Sequence, residues 1–148
     1  MPRRRVVCLG DSITRGQLSV DYVKLLGGRS ALAPFVFGNA GVNGDLAENV
    51  LRRLDTVINQ QPDVVTVLIG SNDANASMSA KNSSRTTRMQ KLAAPPTIEG
   101  FADNVGAIVD RLASETSARI GLLSLPVLGE GIESESVRQS GRYSEVLK

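Results

Sequence analysis

The sequence predicts an α/β protein, a three-layer α/β/α sandwich built on a parallel sheet. Two observations lead there. Segments that read as strands alternate with segments that read as helices along the chain, an order that favours crossover connections and parallel pairing. The clearest strand segment, Val64-Val65-Thr66-Val67-Leu68-Ile69, is apolar on both faces, as a strand covered by helices above and below must be. The 148 residues suit one domain, residues 1–148, and 41% hydrophobic with 22% charged residues is ordinary globular usage.

Residues 5–9 read as a short buried strand, Val6-Val7-Cys8-Leu9, closed by Gly10-Asp11. A helix should follow the turn at Ser12, with Tyr22, Leu25 and Leu26 inward and Gly27-Gly28 as its stop. Residues 34–37 read as a second strand ended by Gly38-Asn39, and 38–44 as a glycine-rich loop. Asp45 is placed to cap a long helix, on which Leu46, Val50, Leu51, Leu54, Val57 and Ile58 recur at helical spacing before Pro62. Residues 63–69 form the third strand. A helix over about 98–113 carries Phe101, Val105, Ile108, Val109 and Leu112 on one stripe. Residues 119–125 read as a fourth strand closed by Pro126, and a weaker helix interrupted at Gly141 follows from 134.

Residues 74–97 break the rhythm. They have no clean period and hold Lys81, Arg85, Arg88 and Lys91 with no acidic residue. They read as a long basic, solvated surface loop; the sharper alternative is a mobile flap, because the segment leaves the carboxyl end of the third strand. Asn75-Ala76-Ser77 and Asn82-Ser83-Ser84 match the glycosylation pattern, which chance explains in the absence of a signal peptide.

Composition excludes several functions. A formal charge of +2 is too small to argue for nucleic acid. One cysteine forms no internal disulfide. No apolar run is long enough to span a bilayer, and the apolar stretch after the basic residues 1–5 is too short for a signal peptide, so a cytoplasmic location is expected. The chain has no histidine, so it completes no serine–histidine or cysteine–histidine pair and no histidine metal site.

Chemistry concentrates in the loops after the first three strands: Gly10-Asp11-Ser12-Ile13-Thr14, Asn39-Ala40-Gly41-Val42-Asn43-Gly44-Asp45 and Gly70-Ser71-Asn72-Asp73. In a parallel sheet of flavodoxin-like order 2-1-3-4 all three emerge on one edge and converge at the switch point. Acyl transfer needs a nucleophile and donors aimed at a developing oxyanion. Ser12, on a tight strand-to-helix turn, offers a hydroxyl; the N–H groups of Ser12 and Gly44 and the amide of Asn72 offer three donors. Taken singly, Ser12 is more often a helix cap, Gly44 a turn residue, Asn72-Asp73 turn chemistry and Asp11 a loop brace. Their joint occurrence, in order after consecutive strands, is what favours a site.

These blocks, Gly10-Asp11-Ser12-Ile13, Gly44 and Gly70-Ser71-Asn72-Asp73, resemble the first three sequence blocks of the SGNH (GDSL) hydrolase family over residues 6–127. The resemblance implies a three-layer α/β/α fold and a serine esterase or lipase acting on a small-molecule ester without metal or organic cofactor. It implies Ser12 as nucleophile and oxyanion donor, Gly44 and Asn72 as the other donors, and Asp73 as a support residue. The family's fourth block, an Asp-x-x-His motif after a fifth strand, has no counterpart in residues 1–148. The base, its aspartate, the fifth strand and a closing helix are therefore expected from a further C-terminal segment, and the isolated chain is expected to be a very poor catalyst. No motif places Lys24, Lys81, Lys91 or Lys148 beside Ser12. An open edge on the fourth strand would favour self-association or a complementing chain.

Two other readings compete. One is a catalytically inactive ligand- or partner-binding module on the same fold. The other is a nucleotide- or phosphate-binding flavodoxin-like domain; Gly38, Gly41 and Gly44 lack the dinucleotide spacing, and no phosphate-loop lysine motif occurs.

Overall fold

Four parallel strands pair in the order β2-β1-β3-β4, as the sequence predicts. They are β1 (Arg4–Gly10), β2 (Phe35–Gly41), β3 (Val64–Leu68) and β4 (Arg119–Leu122) in a computed structural model that describes residues 3–129, 131 and 133–148. Met1 and Pro2 of the basic amino terminus lie outside the described residues. Helices cover both faces of the sheet, and alternation along β1 divides the core between them. Val7 and Leu9 join Val65 and Val67 against α3 (Ala47–Arg52), α4 (Asp55–Ile58) and α7 (Ile98–Glu115). Val6 and Cys8 point the other way, to a smaller cluster with Val23 of α2 (Tyr22–Gly27). Each fully buried aliphatic side chain contributes about 2 kcal/mol.

The central strands and α7 fall where the sequence puts them, and several boundaries move. β2 continues through Gly38 and Asn39, because its ladder to β1 runs on to the Gly10–Gly41 pair. The helix after Ser12 is two short ones. α1 (Ser12–Arg15) stops at Gly16, which has φ 71°, and Asp21 caps α2 through the Lys24 N–H. Val23 is the buried residue of α2, while Leu25 is 58% exposed rather than inward. The helix expected from Asp45 breaks into α3 and α4 at Arg53, and Leu46, not Asp45, sits at its N-cap.

The largest difference lies in residues 74–97. Instead of a long loop they complete α5 (Ser71–Ala76) and form α6 (Ala80–Gln90), capped by the Ser79 hydroxyl. α8 (Glu135–Val146) runs unbroken through Gly141, whose exposed position leaves it free of packing demands. β4 ends at Leu122 rather than 125; Leu125 is buried, its N–H held by Ser144 Oγ at 3.0 Å. Among the described residues no helix is long and apolar enough to cross a membrane.

Candidate active site

β1, β2 and β3 deliver their loops to one edge of the sheet. Gly10 pairs with Gly41 on one side and Leu68 on the other. Ser12, Gly44 and Asn72 therefore each follow a strand end by a few residues.

The first loop turns tightly because Asp11 caps it. Its carboxylate accepts from Ile13 N–H at 2.9 Å and its carbonyl accepts from Arg15 N–H at 2.9 Å. Burial pushes the Asp11 carboxyl above its ordinary range, the Ile13 hydrogen bond opposes that, and the nearby Asp45 carboxylate adds to it. Ser12 opens α1, half-buried. Its hydroxyl has no hydrogen-bond partner among the described residues, where no buried side-chain polar atom is left unpaired, so the oxygen is not fully buried.

The second loop starts on β1, with Val42 N–H donating to Gly10 O at 3.1 Å. Gly44 has φ 81°, in the left-handed region that favours glycine, and a Cβ there would lie 2.7 Å from Gln90 Nε2. The next residue, Asp45, is buried, but not as a helix cap. It accepts from Arg53 Nε at 2.6 Å. The same guanidinium donates to Gly10 O at 3.1 Å and Ala40 O at 3.0 Å. One side chain thus ties the ends of β1 and β2 to the second loop. Sequence reasoning missed Arg53, because the two partners flank opposite ends of α3 and no residue spacing links them. Asn39, which the sequence places at the end of the second strand, lies within β2: its amide donates to Thr14 O at 2.7 Å while its Oδ1 accepts from Gly41 N–H at 2.9 Å.

The third loop grips the second. Asn72 Nδ2 donates to Asp45 O at 2.9 Å, which uses one amide proton and leaves one free. Just beyond that loop, at the first residue of α3, Ala47 N–H donates to both oxygens of Asp73, at 3.2 and 3.3 Å. Burial is the main reason the Asp73 carboxyl rises to about 7; the Ala47 hydrogen bond opposes it, and Asp11 and Glu48 add repulsion. Asp45 thus acts on Asp11, and Asp11 on Asp73.

Gly44 and Asn72 line one partly open cavity of about 200 Å³, bordered on its other side by Asn82, Arg85, Met89 and Gln90 of α6. Ser12 is on the same sheet edge but is not among the residues lining that cavity. Asp73 faces elsewhere, into a larger, mainly apolar cavity with Leu46, Leu92, Pro96 and Phe101. Among the described residues no cluster of three or more histidine, cysteine or acidic side chains could hold a metal.

A family model described as GDSL-like lipase/acylhydrolase matches residues 8–148. The fold is similar to an acetylxylan esterase from Geobacillus stearothermophilus, at 18% identity and TM-score 0.79 over 99% of this chain and 70% of that one. It is also similar to the acetyl xylan esterase AlAXEase, at 21% and 0.77 over 97% and 70%. A lipase/acylhydrolase from Enterococcus faecalis aligns at 25% and 0.72 over 97% and 69%. No curated protein sequence matches the chain.

Proposed function

The chain belongs to the GDSL-like lipase/acylhydrolase family, and from that premise we propose that it hydrolyses a carboxylic ester with Ser12 as nucleophile. Ser12 Oγ attacks the carbonyl carbon, and the oxyanion that forms is met by the N–H groups of Ser12 and Gly44 and the remaining amide proton of Asn72. The observation that carries this reading is the grip of the third loop on the second: with Asn72 Nδ2 fixed on Asp45 O, its amide cannot swing away from the loop that presents Gly44 N–H. Such preorganised donors need no rearrangement as charge develops, and each is worth about 3 kcal/mol of barrier.

Asp11 and Asp73 act as braces. Asp73 is 4% exposed and turned to Ala47 N–H, so it serves the loop rather than the serine. With no histidine in the 148 residues, the proton acceptor for Ser12 comes from outside them, either a further segment or a complementing chain. The acetyl esters named for two of the structural neighbours make a short acyl group the first substrate to test.

A fluorophosphonate probe tests the reading on the product of the full-length gene. Covalent labelling at Ser12, with loss of labelling and of ester hydrolysis in Ser12→Ala, is expected. Esterase activity that survives Ser12→Ala unchanged, with Ser12 unlabelled, overturns it. The zero histidine count favours one second reading, a binding module on this fold; ligand binding without labelling in the full-length product would support it.

A further inference from the structure

The cavity between α6 and the second loop is built for charge. Residues 74–97 hold four cations and no acidic residue. Of these, Arg85 lines the cavity together with Asn72, Asn75, Asn82 and Gln90. The arginines and lysine that form ion pairs among the described residues are Arg52, Arg53, Arg111, Arg138 and Lys148; Arg85 is not one of them. Two acids on the floor side are engaged elsewhere. Glu48 pairs with Arg52 and accepts from Ala93 N–H at 2.9 Å, and Asp45 is held by Arg53. Asn82 is aimed by its own bond to Asn75 O at 3.3 Å. The neighbouring cavity is mainly apolar, holds Asp73 and Glu48 and no cation, and so offers an anion no counter-ion.

Resting on the hydrolase reading, we propose that this cavity is a subsite for a carboxylate or phosphate group carried by the ester, with Arg85 as its counter-ion and the amides of Asn75 and Asn82 as flanking donors. A guanidinium presents paired N–H groups that match either anion. The reacting carbonyl would lie at the Gly44–Asn72 side and the charged end under α6.

The test measures binding, not turnover. 4-Acetoxybenzoate and its methyl ester differ by one charge, and each is titrated into Ser12→Ala protein at low salt by NMR. The anionic probe is expected to bind about fivefold tighter, the range of a partly exposed ion pair. The preference should vanish in Arg85→Gln and persist in Arg88→Gln, whose side chain does not line the cavity. Equal affinities, no binding of either probe, or a preference that survives Arg85→Gln overturns the subsite. Fluorophosphonate labelling separates the two readings. Labelled Ser12 without charge preference removes only the subsite; unlabelled Ser12 with charge preference removes only the catalytic role.

Discussion

The floor of the cavity and its roof are held by different physics. The floor, where β1, β2 and β3 end, is cross-linked by Arg53, Asn39, Asn72 and Asp73, each bonding backbone from a distant part of the chain. The roof, α6, buries none of its residues, and Met89 on it is 61% exposed. It is moored near its carboxyl end: Asn49 Nδ2 donates to Gln90 O at 3.2 Å and Arg52 Nη1 to Lys91 O at 2.8 Å. Helices without a buried face draw little stability from packing, so the roof belongs to the low end of the local-opening spectrum and the floor to the high end. In the proposed site the oxyanion donors would therefore sit on the rigid floor and Arg85 on the more mobile roof.

The difference can be broken from the floor first. Arg53→Ala strips Asp45 of its partner and frees the Gly10 and Ala40 carbonyls. Removing one member of a buried pair leaves an uncompensated charge, and a loss of about 3 kcal/mol in urea unfolding is expected. A loss no greater than a surface substitution gives would mean the floor is not held as described.

Asp73 sharpens the comparison through pH. Its folded carboxyl is raised to about 7 from an ordinary 3.8, so the folded state binds the proton more tightly than the unfolded chain. That stabilisation is complete below the unfolded value and is lost as pH climbs through 7. The protein should therefore be less stable at pH 8 than at pH 4, by on the order of 3 kcal/mol from this group. Asp73→Asn, which keeps an acceptor for Ala47 N–H, should flatten that slope and melt higher than the parent at pH 8. An unchanged slope would assign the dependence to the other raised carboxyls, Asp11 and Asp45.

The smallest effect belongs to the roof. Arg52→Ala removes an exposed mooring, and global stability should change by less than about 0.5 kcal/mol. Limited proteolysis within residues 79–92 should nonetheless speed several-fold, since cleavage there needs only local opening. Equal cleavage rates would show that α6 holds its place by other means.

The same contrast explains what the sequence revealed. The strand order and the edge that collects Ser12, Gly44 and Asn72 were legible because β1 and β3 are apolar on both faces, a pattern that only a covered parallel sheet satisfies. α6 was illegible for the converse reason: a helix that buries nothing writes no apolar stripe, and Lys81, Ser84, Arg85 and Arg88 read as loop. Asp45 read as a cap because aspartate before an apolar run signals one; in the folded chain the charge of Arg53 outweighs that local preference. The partition of Asn72 and Asp73 between two cavities, adjacent in sequence but aimed apart, follows from their place at the start of α5 and had no signal in residue spacing.

Cys8 turns this layout into a clock. The chain's single thiol sits in the middle of β1 at 1% exposure, and burial raises it above the usual thiol range. The thiol lies on the face that α2 covers, beside Val23 and Tyr22, so an alkylating reagent reaches it when that face opens. The rate of its modification times the uncovering of the α2 face, which α6 does not touch, so a single mass-spectrometric time course, run beside proteolysis, records the two motions on separate channels.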